Sequence, residues 1–151
     1  MIKAVLFTIG IYIANILIKG FFCEVSLKCV TGTGRRLFLV NVLTLPVVDE
    51  VTRYLTYLWN PLVSLEFTLI TTLIEGMLGF GTGVRLKKKT AIVLGLIQGI
   101  IHPVNYIIIS KIFGSEGLLL ALLLHMMWND LVINRTLSEL IPIGGDNNES
   151  N

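Results

Sequence analysis

The chain has 151 residues, of which 54% are hydrophobic and 15% are charged, and its formal net charge is +2. Its mean hydropathy is +0.79, so a folded domain of this length would have too little polar surface to stay in solution. The composition therefore argues against a soluble globular enzyme and favours the lipid bilayer as the environment of the chain.

Apolar runs long enough to cross a membrane follow one another along the sequence. They predict five membrane helices, at about 4–23, 37–59, 62–84, 90–112 and 118–135. The predicted fold class is therefore all-α, a polytopic transmembrane helix bundle that forms a single domain over residues 1–141. The polar segment 142–151 is predicted to be a disordered tail.

The breaks between the predicted helices have local causes. The segment TGTGRR separates the first two, and Trp59-Asn60-Pro61 predicts a tight hairpin because proline cannot continue a helical hydrogen-bond ladder. The basic run RLKKK at 85–89 ends the third helix, and GSEG at 114–117 ends the fourth.

Lysine and arginine residues are distributed unevenly between the two sides of this five-helix arrangement. Only Lys3 and Lys111 fall on one side. The other side carries Lys19, Lys28, Arg35, Arg36, Arg85, Lys87, Lys88, Lys89 and Arg135. Because basic residues accumulate on the cytoplasmic side, the N-terminus is predicted outside and the C-terminus inside, in the plasma (cytoplasmic) membrane. This topology also explains RLKKK, so no nucleic-acid partner is expected.

Polar residues inside the predicted helices repeat at spacings of three and four. They are Thr8, Tyr12, Asn15 and Lys19, then Thr68, Thr71, Thr72 and Glu75, then Gln98, His102 and Asn105, and finally His125 and Asn129. Such spacings place side chains on one face of a helix. Each helix is therefore expected to have one polar face, and the bundle is expected to turn these faces towards one another.

Four ionisable residues from four different helices are expected at a similar depth. At 1.5 Å per residue, Glu50, Glu75, His102 and His125 lie roughly 10 to 20 Å below the predicted outer surface. The hydrocarbon layer is about 30 Å thick, so all four lie inside it. Ionisable groups are costly there and often mark functional sites.

These residue types have one chemistry in common, the activation of water. Glu50 would act as a general base, with a histidine and an asparagine such as Asn129 donating to a developing oxyanion. Alternatively, Glu50, His102 and His125 would ligate zinc and leave a fourth position to water. The usual HExxH pattern is missing, so no cofactor is expected.

Structural roles remain open for the same residues. Asp49 and Arg53 are four residues apart and would neutralise one another on one helix face. A histidine in a membrane helix also serves as a hydrogen-bond donor between helices. Glu75 follows a row of threonines and would then be a polar packing residue.

Four segments resemble the PrsW-type intramembrane proteases, relatives of the CAAX-prenyl-protease type. PVVDEVTRYL, 46–55, resembles their paired-glutamate segment, and LLLHMMWND, 122–130, resembles the late histidine motif. QGIIHPVNY, 98–106, stands in the place of the intervening histidine motif, and LIEGMLGFG, 73–81, resembles the glycine-rich helix. The resemblance covers about 45–130, in the order of the family.

The resemblance implies roles for individual residues. It implies a catalytic set of Glu50, His102, His125 and Asn129, supported by Asp49, Arg53 and Glu75. Glu50 corresponds to the second, catalytic glutamate of the pair and Asp49 to the first, where the family has glutamate. Arg53 stands where PrsW types have lysine. Glu75 precedes the GFG segment, whereas the family glutamate follows its phenylalanine by four residues, at a position that is valine here.

Three functions are compatible with this sequence. The resemblance implies an intramembrane endopeptidase that cleaves membrane-embedded or membrane-adjacent peptides. The superfamily also includes a non-catalytic subunit of gamma-secretase, which implies a scaffold that binds a partner subunit or a second copy. Intramembrane glutamate and histidine residues also serve proton-coupled transporters. The expected partners are the bilayer and, for the peptidase, a membrane-protein or peptide substrate.

Overall fold

A computed structural model describes residues 2–29, 38–86, 89–112 and 114–140, which are helical apart from short connections and contain no β-strand. The elements are α1 (Ile2–Cys29), a π-helical segment (Phe38–Thr44), α2 (Leu45–Trp59), α3 (Pro61–Leu86), α4 (Lys89–Gln98), α5 (Ile101–Lys111) and α6 (Ser115–Leu140). The predicted all-α class is confirmed for the described residues. The TGTGRR connection and the predicted tail at 142–151 lie outside the described residues.

The bundle is apolar outside and polar inside. Among the described residues, two helices contain stretches long and apolar enough to cross a membrane, Leu6–Val25 in α1 and Pro61–Gly81 in α3. Large apolar side chains cover the outer surface, with Leu17 68% exposed and Met77 71% exposed. The buried residues, in contrast, are more often polar or charged than hydrophobic. This distribution suits a lipid surrounding better than water, and it supports membrane association.

The second predicted helix, 37–59, begins as a π-helix and becomes α-helical only at Leu45. Pro46 lies within the first turn of α2, where its missing N–H and its ring exclude an α-helical bond to the preceding turn. The Thr44 hydroxyl donates to the carbonyl of Leu39, five residues earlier, at 2.9 Å. A wider turn therefore precedes the helix that carries Glu50.

The fourth predicted helix, 90–112, is interrupted between Gln98 and Ile101, so the expected continuous span is wrong as a single helix. Pro103 explains part of the break, because it has no N–H to donate to the carbonyl of residue 99. Close packing explains the rest, since a Cβ on Gly99 would overlap the backbone carbonyl of Thr72 on α3. The break starts α5 in a new direction just before His102.

The other two connections are short and have the residues that their geometry requires. Asn60 is extended, with φ −156° and ψ 109°, and its side-chain oxygen accepts a hydrogen bond from the Leu62 N–H at 3.0 Å. It therefore caps α3, which begins with Pro61 as capped helices often do. Gly114 has φ +92°, a left-handed conformation that favours glycine. The predicted hairpin and the predicted break near 114 are both present.

Helix α1 joins the bundle through its polar stripe. The Thr8 hydroxyl donates to the Glu66 carboxylate at 2.5 Å, and the Asn15 amide donates to the Thr52 hydroxyl at 2.9 Å. The predicted polar face of this helix therefore turns inwards, and most of its apolar side chains stay exposed.

We expect Gly99→Ala to destabilise the protein. The added methyl group would push α3 and α5 apart at a backbone contact, and overpacking of this kind costs about 1–3 kcal/mol. Gly20→Ala is the matched control, because a Cβ there has no atom within 4 Å. Thermal unfolding in detergent should show a lower midpoint for Gly99→Ala only, and an unchanged midpoint would contradict the close approach.

Candidate active site

Glu50 is the centre of a buried cluster of ionisable residues. Its side chain is fully buried on α2. Oxygen Oε1 accepts hydrogen bonds from His125 Nδ1 at 2.7 Å and from the Asn105 amide at 2.8 Å. Oxygen Oε2 is paired with Nη1 of Arg53. Two other helices, α5 and α6, therefore donate to one oxygen of Glu50, and Arg53 on the same helix as Glu50 pairs with the other.

The whole set, which we name the charged cluster, contains Lys19, Asp49, Glu50, Arg53, Glu75, His102 and His125. Its members come from α1, α2, α3, α5 and α6. The structure thus brings together six of the seven site residues that the sequence predicted, and it adds Lys19 to them.

Arg53 is fully buried and its guanidinium joins three helices. Besides Glu50, it donates through Nη2 to His102 Nδ1 at 2.9 Å and through Nε to the Thr68 hydroxyl at 3.0 Å. The expected pairing of Asp49 with Arg53 is therefore wrong. Glu50 is three residues from Arg53 and shares its inward face, whereas Asp49 is turned towards α1 and pairs with Lys19.

The contacts of His102 determine its tautomer. A guanidinium can only donate hydrogen bonds, so Nδ1 of His102 must carry a lone pair where Arg53 contacts it. The proton of the neutral ring is then on Nε2, which donates to Glu75 Oε2 at 2.8 Å. Arg53 and Glu75 thus hold the ring from its two sides.

His125 has the opposite tautomer. Its Nδ1 lies 2.7 Å from a Glu50 oxygen that accepts, so Nδ1 carries the proton and donates. In a neutral ring the lone pair is then on Nε2, for which the described residues provide no hydrogen-bond partner. The two imidazole rings are nearly perpendicular, at 81°, with centroids 5.1 Å apart.

A second group of contacts ties α1 to the cluster. Lys19 Nζ lies 2.6 Å from Asp49 Oδ1 and 3.7 Å from Glu75 Oε1. The Lys19 side chain is 16% exposed, whereas Asp49 and Arg53 are almost fully buried. Glu75, whose side chain is 24% exposed, and Lys19 are therefore the two members of the cluster nearest to the bundle surface.

Asn129 does not join the cluster. Its amide donates to the backbone carbonyl of Asn41 at 2.9 Å and so links α6 to the π-helical segment. Asn105 occupies the position that was expected for Asn129. Its amide donates to the Glu50 carboxylate and to the carbonyl of Ala121. The signal was present in the sequence, because Asn105 follows His102 by three residues on the same polar stripe.

Lys19 and Thr68 were also missed as site residues. Both lie on predicted polar stripes, but Lys19 was counted among the basic residues of the cytoplasmic side, and Thr68 was given no role beyond the polar face of its helix. Only the distance from Lys19 to Asp49 and from Thr68 to Arg53 reveals their role.

The arrangement can hold or move a proton, and it can hold a cation. Three carboxylates meet two permanent cations, so with neutral histidines the charged cluster has one negative charge in excess. One Asp49 oxygen and one nitrogen each of His102 and His125 lie within 4.8 Å of one another. The carboxylate in this group is Asp49, whereas the zinc set considered as an alternative from the sequence contained Glu50.

Comparison of the chain with protein-family models, curated proteins and solved structures found no match.

Arg53→Met should strongly destabilise the protein, because it leaves the carboxylate of Glu50 buried without its counter-ion. Breaking a buried pair on one side typically costs about 3–5 kcal/mol. The double variant Glu50→Gln/Arg53→Met should recover much of this loss, since neutral partners no longer need compensation. The free energy of unfolding by SDS in mixed micelles measures both effects.

The matched control is Arg85→Met, at an exposed position near the end of α3. If Arg53→Met cost no more than this control, the proposed dependence of the interior on the Arg53 charge would be wrong.

Proposed function

We propose that the chain is an integral membrane peptidase of the PrsW/CAAX-protease type, in which Glu50 and His125 together activate water. The observation that carries the proposal is the hydrogen bond of 2.7 Å between these two fully buried residues, in the interior of a bundle whose outer surface is apolar. A buried acid–base pair can transfer protons during hydrolysis. Burying ionisable groups in a membrane protein is costly, so such a pair often marks a functional site.

In the proposed topology the chain crosses the plasma membrane five times. Helices α1, α3 and α6 have 28, 26 and 26 residues, enough to cross hydrocarbon about 30 Å thick. Helices α4 and α5 have 10 and 11 residues, so each covers only about 15 Å and the two form one broken span. The π-helical segment and α2 form the remaining span.

Within the pair, His125 takes the proton and Glu50 orients the ring. Both oxygens of Glu50 are already occupied, by His125, Asn105 and Arg53. His125 Nε2 retains a lone pair, so a proton lost by water would go to this nitrogen. The resulting imidazolium would be stabilised by the carboxylate on its other side, and it would return the proton to the leaving amine.

The sequence motifs support the same assignment. Glu50 and His125 occupy the positions of the catalytic glutamate and the late histidine in the family that the chain resembles. His102 occupies the place of the intervening histidine, and its ring contacts the ring of His125. Arg53 and Asp49 then act as positioning residues, the first through Glu50 and His102 and the second through Lys19.

A scaffold function is the second candidate, and one observation favours it. Most hydrogen-bonding atoms of the charged cluster are engaged within the protein, and such a network can simply hold helices together. A scaffold would bind a partner subunit or a second copy through its apolar exterior. A partner that co-purifies only when both histidines are intact, without cleavage of any substrate, would favour this candidate over the peptidase.

The topology makes a direct prediction for reporter fusions in a bacterial host. Alkaline phosphatase fused after Asn60 or after Gly114 should be active, because both connections are proposed to lie outside. Green fluorescent protein fused to the C-terminus should fluoresce, because that end is proposed to lie inside. Active phosphatase fused near residue 30 or residue 87 would contradict the five-span orientation.

Glu50→Gln should abolish cleavage, which is measured on the protein that remains folded, because the substitution also leaves Arg53 without its counter-ion and lowers stability. Loss of general acid–base catalysis typically lowers rates by 10²- to 10⁴-fold, and His125→Gln should have a similar effect. Because the two residues act as one unit, the double variant should be no slower than the slower single variant. New peptide N-termini in proteoliposomes that contain the protein and host membrane proteins, identified by mass spectrometry, provide the measurement.

Glu116→Gln is the matched control, since Glu116 is an exposed carboxylate in the first turn of α6. It should cleave like the parent. Equal cleavage by Glu50→Gln and the parent would disprove the role of Glu50, and the absence of any new N-terminus with the parent would favour the scaffold.

A further inference from the structure

Asp49, His102 and His125 place three metal-binding donors around one point in the bundle. One carboxylate oxygen and one nitrogen from each ring lie within 4.8 Å of one another, and all three residues are buried. Two imidazoles and a carboxylate form a common donor set for zinc and similar divalent ions. The two rings are nearly perpendicular, with centroids 5.1 Å apart.

Each histidine is also prepared for coordination by a carboxylate on its far side. His102 donates Nε2–H to Glu75, and His125 donates Nδ1–H to Glu50. Each ring therefore keeps a lone pair on its other nitrogen. Histidines that bind metals usually donate their second N–H to a carboxylate or a carbonyl in this way, which fixes the tautomer and raises the basicity of the ligand.

We propose that these three residues bind a divalent transition-metal ion of the zinc type, with a fourth position left to water. The inference is independent of the proposed peptidase function, because binding can be measured without a substrate. An ion at this position and a proton on His125 Nε2 exclude one another.

Two cations of the charged cluster contact two of these three residues, and an ion would have to replace them. Arg53 Nη2 contacts the lone pair of His102 Nδ1, and Lys19 Nζ contacts Asp49 Oδ1. Nε and Nη1 of Arg53 are held by Thr68 and Glu50 in the same rigid plane as Nη2, so the His102 ring must turn away from Nη2 when an ion binds. Lys19 is on a flexible, partly exposed side chain that can withdraw towards the interface.

Charge favours this exchange. With Lys19 in place and neutral histidines, the cluster has one negative charge in excess, and withdrawal of Lys19 makes the excess two. A divalent ion then neutralises the interior, which lowers the electrostatic cost of burying three carboxylates. Lys19 and the ion therefore compete for Asp49, and removal of the lysine should strengthen binding.

The test uses the full chain in detergent, with a non-histidine affinity tag and with Cys23 and Cys29 replaced by serine so that thiols cannot bind the probe. Co²⁺ is titrated and followed by the visible absorption of the tetrahedral ion, and Zn²⁺ is used to displace it. We expect one ion per chain. Asp49→Asn and His125→Gln should abolish binding, and Glu75→Gln should weaken it about 10- to 100-fold, as expected for a carboxylate behind a metal-binding histidine.

Lys19→Met provides the sharpest comparison, because it should bind the ion more tightly than the parent. A purely structural role of Lys19 would leave affinity unchanged or lower it. Glu66→Gln is the control, since this carboxylate contacts Thr8 and lies outside the cluster. If Lys19→Met binds Co²⁺ and the parent does not, the result would still support the site. Absence of binding in both the folded parent and folded Lys19→Met, or binding that Asp49→Asn does not alter, would overturn it.

Discussion

The guanidinium of Arg53 is the group on which the arrangement of the described interior depends. It is fully buried, and arginine stays protonated in every protein environment. Its charge must therefore be compensated, and each of its donors needs an acceptor. Glu50 on its own helix, Thr68 on α3 and His102 on α5 meet these needs. These contacts determine how the three helices face one another.

The states of the two histidines follow from this constraint. Because Arg53 donates to His102, that ring must carry its proton on the nitrogen that faces Glu75. Because Glu50 is held by Arg53 and Asn105, one of its oxygens is directed at His125, which donates to it. The interior thus contains two imidazoles whose lone pairs are both defined by the protein. This arrangement suits proton transfer and metal binding alike, and the two proposals above differ in what occupies the lone pairs.

Much of this interior could be predicted from spacing alone. Residues three and four apart share a helix face, so the stripes that contain His102, Asn105 and His125 were expected to turn towards Glu50. The hairpin at Asn60 and the break near Gly114 also follow from local chemistry. Such features depend on residues close in sequence, where the geometry of a single helix decides the outcome.

The errors concern choices that depend on distant parts of the chain. Whether Arg53 pairs with Asp49 or with Glu50 depends on Lys19. This lysine lies on α1, about 30 residues earlier in the chain, and pairs with Asp49. The break before α5 depends on the contact of Gly99 with Thr72 on another helix. Asn129 was expected at the site because it lies one turn from His125, but the carbonyl of Asn41 attracts its amide instead. Sequence spacing contains no information on these contacts.

The most direct test of the central claim is the protonation of the two histidines, the only ones in the chain. In metal-free protein labelled with ¹⁵N-histidine, NMR at a pH at which both rings are neutral should show two rings of opposite tautomer, assigned by comparison with His125→Gln. His102 should carry its proton on Nε2 and His125 on Nδ1. Two rings with the same tautomer, or rings that average between tautomers as solvent-exposed histidines do, would contradict the arrangement around Arg53 and Glu50.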